Sequence, residues 1–290
     1  MTWSPGPVVT RRRLGGELKG LREDAGLKLE DVARRLECSP SKISRLENGK
    51  GVPRWRDVRD MLDVYGVRDA QVRDRLESWA RTGQAKMWWH SYADIIPRAT
   101  STYVELEWDA TQIDAYEAHI VHGLLQTRAY ARAVLETAWG STYGGRDYER
   151  LTEVRMSRQE ALTSDHGLYF RCVLDESTLH RMVGSPQTQR EQIEHLIGIA
   201  EAEHVEVRII PFTAGLVPNS RESFAHIRFA AGMGDGVIYI ERPGNASEYL
   251  SDPEDVGEHR ERLSMLLDAS LPEAESTRLM EQALDRLRVF

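Results

Sequence analysis

The chain has 290 residues, of which 41% are hydrophobic and 29% charged, and its formal net charge at pH 7 is −8. This length predicts two domains with buried cores, and no apolar run approaches the ~18 residues of a transmembrane helix. Two cysteines, Cys38 and Cys172, fit neither a metal-binding spacing nor a disulfide framework, and no secretory signal is evident. We therefore expect a cytoplasmic protein.

Five short helical patterns follow residues 1–10, a segment that we expect to be disordered because it has two prolines and little to bury. Apolar residues recur at helical spacing in each pattern, and glycines end the first, fourth and fifth. The apolar positions are Leu14, Leu18, Leu21 and Ala25; Leu29, Val32, Ala33 and Leu36; Ile43 and Leu46; Val58, Met61, Leu62 and Tyr65; and Val72, Leu76 and Trp79.

The third pattern lies in "SPSKISRLENGKGVP", which begins at Ser39. Ser39 can cap a helix, Pro40 suits its first position, and Gly49 lies just past its end. Only Glu37 and Cys38 separate this helix from the preceding one. Two short helices joined so tightly cross steeply, which predicts a helix-turn-helix unit with Cys38 packed beneath it.

The outward face of the third helix predicts DNA reading. It consists of Ser41, Lys42, Ser44 and Arg45. A helix that reads DNA presents short polar or cationic side chains to base edges, and an arginine such as Arg45 can bond guanine O6 and N7. An ordinary solvated face is the alternative. The tight turn and the inward positions of Ile43 and Leu46 favour DNA reading.

The charge distribution agrees with a DNA-binding N-terminal domain. Residues 1–82 hold 18 Lys and Arg against 13 Asp and Glu, a net of +5, whereas residues 83–290 have a net of −13. A basic segment on an acidic remainder is typical of a DNA-binding domain joined to a regulatory domain, although solvated charged faces also produce such unevenness.

The composition changes after Gly83. The aromatic-rich stretch "KMWWHSYADIIP" contains Trp88, Trp89, His90 and Tyr92. These four side chains are predicted either to line a ligand pocket or to form an interdomain seam. Residues 103–138 are predicted to be mainly helical, and "YERLTEVRMSRQEALT" is a charged amphipathic helix.

Strand patterns appear late in the chain. They are "GLYFRCVL" and, after a helix over residues 186–203, "VEVRIIPF", "FAHIRFA" and "GVIYIERP". The last three, separated by turn residues, predict an antiparallel meander. Two helices follow, and the row Leu279, Ala283 and Leu287 on the final one predicts either a dimer surface or core packing.

Motifs of catalysis are missing. The chain has no GxSxG, no phosphate loop and no HExxH. His119 and His122 are three residues apart, but no third metal ligand is near them in sequence. We therefore predict no enzyme, no catalytic residue, no metal and no cofactor.

Residues 11–68 resemble the Cro/repressor-type, or XRE-family, helix-turn-helix domain. The resemblance is carried by "LKGLREDAGLKLEDVARRLECSPSKISRLENGKGVP". It implies a five-helix, lambda-repressor-like fold and a structural role for Glu47. It also implies phosphate contacts from Ser39, Asn48, Lys50 and Arg54. Two departures are Leu29, where the family usually has a phosphate-binding Gln, and Glu37, where it usually has Gly; a left-handed Glu37 would cost about 1 kcal/mol or more.

The rest of the chain resembles a group of antitoxin-like XRE regulators from actinobacteria, over roughly residues 85–268. The shared stretches are "WWHSYADIIP", "YEAHIVHGLLQTRAYARAVL", "VRMSRQEAL", "FRCVLDESTL", "VEVRIIPF" and "YLSDPEDV". This resemblance implies a transcriptional regulator with a long C-terminal domain. It also implies a small actinobacterial partner protein.

The sequence thus predicts a mainly α helix-turn-helix domain over residues 11–82 and a larger α+β domain with a late antiparallel sheet over residues 83–290. We expect a homodimer that binds double-stranded DNA, with the C-terminal domain receiving a signal from a small protein or ligand. Two alternatives are an interaction protein that sequesters a small partner and a regulator that senses a small molecule.

Overall fold

A computed structural model describes residues 7–49, 51–83, 87–139, 147–163, 167–218, 220–230, 234–242 and 247–287. Its contacts divide the chain into two units, Met1–Trp88 and Trp89–Phe290. None of the helices in the described ranges is both long and apolar enough to cross a membrane.

The first unit contains the five predicted helices. They are α1 (Pro7–Asp24), α2 (Leu29–Arg35), α3 (Pro40–Glu47), α4 (Trp55–Val64) and α5 (Ala70–Thr82). The apolar positions that recur at helical spacing converge on one core, in which Leu18, Val32, Ile43, Met61 and Leu76 are buried. The mainly α helix-turn-helix unit is therefore confirmed.

The start of α1 corrects one prediction. The helix begins at Pro7, so residues 7–10 are helical rather than disordered, and residues 1–6 lie outside the described residues. Thr10 is buried one turn before Leu14, which extends the packed face of α1 toward its N-terminus. Pro7 suits this end of a helix because the first amide groups have no intrahelical partner.

The second unit is built on a six-stranded mixed sheet. Its strands are β1 (Gln112–Glu117), β2 (Tyr169–Asp175), β3 (Val205–Ile210), β4 (Phe224–Arg228), β5 (Val237–Ile240) and β6 (Glu248–Leu250). The strand order is β3-β2-β1-β4-β5-β6. Strands β1, β2 and β3 are parallel to one another, and β1, β4, β5 and β6 form antiparallel pairs.

This sheet confirms the α+β class and corrects two details. β1 lies within residues 103–138, which were predicted to be mainly helical. β3 does not belong to a meander with β4 and β5, because it pairs in parallel with β2 at the other end of the sheet. Parallel neighbours need long crossover connections, and the helices between these strands supply them.

Helices cover both faces of the sheet. They are α6 (Arg98–Trp108), α7 (Arg128–Trp139), α8 (Tyr148–Arg158), α9 (Ser177–His180), α10 (Pro186–Ile199), α11 (Pro253–Ala269) and α12 (Glu273–Leu287). Helix α11 buries Val256 and Leu266 against Tyr116 and Ile238 of the sheet. Helix α12 lies against α10 and β3, with Met280 and Ala283 buried, so Ala283 of the predicted row packs within its own unit.

Candidate nucleic-acid interface

Helix α3 is fixed at its start by local signals in the sequence. The Ser39 Oγ accepts a hydrogen bond from the backbone N–H of Lys42 at 3.2 Å, and Pro40 occupies the first turn. Glu37, in the preceding turn, has φ +49°, the left-handed conformation that was predicted to be costly at this position. The turn thus sets the direction in which α3 leaves the core.

The inner side of α3 is anchored by apolar residues and by one buried carboxylate. Ile43 and Leu46 are buried in the core of the first unit. Glu47 accepts hydrogen bonds from Arg22 Nε at 2.7 Å and Nη2 at 2.9 Å, and from the Tyr65 hydroxyl at 3.2 Å. Burial, reinforced by the Glu47 carboxylate, raises the pKa of Tyr65, which keeps this hydroxyl a neutral donor. The predicted structural role of Glu47 is confirmed.

The outer side of α3 carries the predicted base-reading residues, and Arg45 is the most accessible cation among them. Arg45 and Ser41 are exposed, whereas Ser44 is half-buried. Ser41 shares a 3.0 Å hydrogen bond with Ser39. Among the described residues, no hydrogen bond or ion pair joins the Arg45 side chain to another residue, although its backbone carbonyl oxygen accepts from the Gly51 N–H at 3.0 Å. Its guanidinium is therefore free to bind an external acceptor.

Two other predicted DNA-contacting residues are held within the unit. Lys42 Nζ lies 2.9 Å from Asp57 Oδ1 at the start of α4. The Asn48 amide donates to the Ser44 carbonyl oxygen at 2.8 Å, so it caps the last turn of α3. A DNA contact from Lys42 would have to compete with Asp57, and one from Asn48 would have to compete with this cap.

The remaining predicted phosphate contacts lie beside α3. Ser39 is exposed, although its hydroxyl already serves the helix cap. Arg54 is exposed at the residue before α4. Lys50 lies outside the described residues. Arg54 thus joins Arg45 as an exposed cation close to α3 in sequence.

The two departures from the family pattern, Leu29 and Glu37, lie at the start of α2 and in the turn that follows it. Leu29 is half-buried and packs against the core, so its side chain takes part in folding. Cys38 packs against the same core, as predicted for a small hydrophobic residue.

The aromatic stretch forms a 3₁₀ turn, Trp88–Tyr92, which begins at the last residue of the first unit. The Trp89 ring is buried and meets the Trp108 ring edge-on at 6.0 Å. The Arg150 guanidinium lies 5.6 Å from the Tyr92 ring and pairs with Asp94 at 2.7 Å, while His90 is exposed. Whether this stretch, with Trp88, forms a seam or a ligand pocket stays a prediction.

The fold gives His119 and His122, which are three residues apart in sequence, different surroundings. His119 is exposed, whereas His122 is buried and bonded to Tyr103 at 3.0 Å. Within the described residues, no group of three or more His, Cys, Asp or Glu side chains is arranged to hold a metal ion.

Sequence reasoning missed the residues that support α3 from other helices. Arg22, Tyr65 and Asp57 reach it from α1, the end of α4 and the start of α4. No local pattern marks them, since each pairing depends on how distant helices pack.

Comparison with known families matches both units. A family model described as a helix-turn-helix domain matches residues 13–76. A second, described as a domain of unknown function (DUF5753), matches residues 100–282. No curated protein and no solved structure matches the chain.

Proposed function

We propose that this chain, which belongs to the family defined by the domain of unknown function DUF5753 and carries a helix-turn-helix domain before it, is a sequence-specific DNA-binding transcriptional regulator. The observation that carries the proposal is the exposed outer side of α3, on which the Arg45 guanidinium has no partner among the described residues. The packed inner side holds that surface in place.

The roles of the residues follow from their surroundings. Arg45 is the base-reading side chain, because an exposed arginine can form two parallel bonds to guanine. Ser41 and Ser44 read adjacent edges as short polar side chains. Arg54 binds phosphate, and Lys42 joins it when DNA draws its amino group from Asp57, since exposed ion pairs are weak.

A dimer supplies the DNA affinity that a single helix-turn-helix unit lacks. The net charge of +5 over residues 1–82 allows only a modest electrostatic contribution from one helix-turn-helix unit, and the acidic remainder opposes it. Two copies on a two-fold operator place two α3 helices in successive major grooves. We accordingly infer a homodimer of the XRE type that acts in the bacterial cytoplasm, and a binding rather than a catalytic role for the second unit.

A footprint on DNA upstream of the chain's own gene tests the proposal, followed by affinity measurements with single base-pair changes. Arg45→Ala is expected to cost about 1–3 kcal/mol and to remove selectivity at one base pair per half-site. Lys19→Ala, which removes an exposed charge on α1, is the charge-matched control and should retain full selectivity. Unchanged selectivity in Arg45→Ala would contradict the role of α3.

A second candidate function is binding of a small partner protein, as the resemblance to antitoxin-like regulators implies. Exposed apolar side chains in the second unit favour it. They are Met182, Phe212 and Leu216, on segments that follow β2 and β3, and Leu216 is 83% exposed. The Phe212 ring stacks on His180, two residues before Met182, so the two segments meet there, and grouped exposed apolar residues are typical of protein-binding surfaces.

Co-purification of the full chain with the small protein encoded next to its gene tests this candidate. Phe212→Ser with Leu216→Ser should abolish capture, whereas Met265→Ser, at an exposed apolar residue on α11, should not. Capture that is equally strong in all variants would place the partner elsewhere, and no capture by the native chain would refute this second function.

A further inference from the structure

A cavity of about 120 Å³, lined by both polar and apolar side chains, lies in the second unit at the edge of the sheet where β1 ends and β4 begins. Its polar lining includes Tyr103, Glu117, Arg155, Tyr239 and Glu241. A water molecule needs roughly 10–15 Å³ of such space, so the cavity can hold a small organic molecule.

The topology of the sheet favours a ligand site at this place. The chain passes from β1 to β2 and β3 on one side, and β4, β5 and β6 lie on the other side of β1. The carboxyl end of β1 is therefore the point at which the strand order reverses. In open sheets whose strands are parallel, ligands bind in the crevice outside such a point, and here the antiparallel β4 brings its own start to the same edge.

Two carboxylates face the cavity in one row across three strands. Tyr116 pairs with Phe224, and Phe224 pairs with Ile240. The next residues toward this edge are Glu117, Ser223 and Glu241, and all three line the cavity. The cavity floor therefore carries a carboxylate on each side of a serine.

Helix α8 contributes two arginines with different degrees of neutralisation. Arg158 forms a bidentate ion pair with Glu107, at 2.7 and 2.8 Å. Arg155 donates to the amide oxygen of Gln126 at 3.1 Å, and no described carboxylate lies within ion-pair distance of it. Arg155 is therefore a cation in the cavity wall that can form an ion pair with an anionic ligand.

Burial makes the charges of both Glu117 and Arg155 costly. It raises the pKa of Glu117 to about 8, with help from nearby Glu241, and it lowers the pKa of Arg155 to about 10, with help from Arg158. A ligand that brings a positive group to Glu117 and a negative group to Arg155 would relieve both costs.

Two tyrosines complete the cavity wall. The rings of Tyr103 and Tyr239 are 4.2 Å apart, and aromatic faces attract cations. His122 Nδ1 accepts from the Leu124 N–H, so the neutral ring carries its proton on Nε2 and donates it to the Tyr103 hydroxyl. The Tyr103 hydroxyl proton can then be donated to a ligand acceptor.

We propose that this cavity binds a small zwitterion of the amino-acid type, whose ammonium group binds Glu117 and Glu241 and whose carboxylate binds Arg155. Ligand binding ionises Glu117, and its proton passes to solvent. The site stands on the second unit alone; only its use as a signal that alters DNA binding rests on the proposed function.

Isothermal titration of the full chain with each of the common amino acids, and with glycine-containing dipeptides, tests the site. At least one of them is expected to bind with a Kd between about 10 μM and 1 mM. An amine that lacks the carboxylate of the bound zwitterion, and a carboxylic acid that lacks its ammonium group, should each bind at least about tenfold more weakly. Titration in buffers of different ionisation enthalpy should show proton release at pH 7.

Glu117→Gln and Arg155→Gln should each weaken binding by about tenfold or more. Glu149→Gln, an exposed change on the same helix as Arg155, should leave it unchanged. Glu241→Gln, at the exposed rim, provides a second test in a variant that is expected to fold normally. The proposal is overturned if no zwitterion binds at about 10 mM, if a bare amine binds equally well, or if the variants bind like the native chain.

Discussion

Arg22 of α1 and Glu47 at the end of α3 form a buried bidentate ion pair, with Nε–Oε1 at 2.7 Å and Nη2–Oε2 at 2.9 Å. Arg22 also donates to the carbonyl oxygen of Leu27, just before α2. One guanidinium thus ties the last turn of α3 to the segment that leads into α2. The pair fixes the two helices of the helix-turn-helix unit from behind.

Glu47→Ala should destabilise the first unit by about 3–5 kcal/mol, because it leaves the Arg22 charge buried without its partner. Thermal unfolding of the full chain measures this loss of stability, and a separate hydrogen-exchange experiment locates it in α2 and α3. Glu23→Ala removes an exposed carboxylate 3.3 Å from the same arginine and should cost less than about 1 kcal/mol. Equal effects of the two changes would refute a special role for Glu47.

Gly15 should not tolerate a methyl group, although it lies in a helix. A Cβ built at Gly15 would lie 2.5 Å from the Glu47 carbonyl oxygen and 2.6 Å from that of Leu46. Gly15→Ala should therefore cost about 1–3 kcal/mol by forcing α1 away from α3.

The neighbouring residue provides the control for Gly15. A Cβ at Gly16 would meet nothing within 4 Å, so Gly16→Ala should stabilise α1 by up to about 1 kcal/mol. Denaturant unfolding of the two variants should show opposite signs. Stabilisation by Gly15→Ala would mean that α1 and α3 do not approach so closely.

Glu37→Gly should stabilise the first unit by about 1 kcal/mol, because glycine adopts φ +49° without the clash that a Cβ causes. The same substitution at Glu30, inside α2, should instead destabilise by a similar amount. Both variants lose one negative charge. Opposite shifts in their midpoints of thermal unfolding would therefore show that the backbone conformation, and not the charge, decides the effect.

The contrast between Glu37 and Glu117 shows what the sequence could and could not predict. The five helices of the first unit were predicted because each has local signals: apolar spacing, a cap such as Ser39, or a terminal glycine. Glu37 was identified because the family that residues 11–68 resemble usually has glycine at this position of the turn. The cavity was missed because Glu117, Ser223 and Glu241 meet only through the register of three strands. β1 was missed for a related reason: burial on both faces removes the alternation that marks an exposed strand.

The second unit should lose stability as pH rises from about 7 to 8. The folded pKa of Glu117 is raised to about 8 from a usual 4.5, so the folded state binds more protons than the unfolded chain in this window, and the free energy of unfolding falls with pH. Burial lowers the pKa of His122, His195 and His226 below 6.5, and their opposing effect fades above pH 7 because these side chains lose their protons in the unfolded chain as well.

Calorimetry of the full chain across this window should show a slope of up to about 1.4 kcal/mol per pH unit for the second unit. Glu117→Gln should remove this fall in stability, since the nearby Arg155 and Arg158 keep their charge throughout. Glu149→Gln should retain it. A native chain whose second transition does not move between these pH values would show that Glu117 is ionised in the fold.

Asp57→Asn should strengthen DNA binding by the first unit. Asp57 holds Lys42 Nζ at 2.9 Å, and its own charge repels phosphate. The substitution frees one cation and removes one anion beside α3, so affinity should rise severalfold for all sequences and its dependence on salt should steepen by about one ion.

Asp60→Asn is the matched control for Asp57→Asn, because Asp60 lies on the same helix and pairs with Arg59 at 3.0 Å. Both changes remove one negative charge from the first unit, whereas only Asp57→Asn releases a side chain of α3. Fluorescence anisotropy of a labelled operator at several salt concentrations separates them. Equal gains would indicate a general effect of net charge, and a larger gain for Asp57→Asn would indicate that Lys42 moves from Asp57 to DNA.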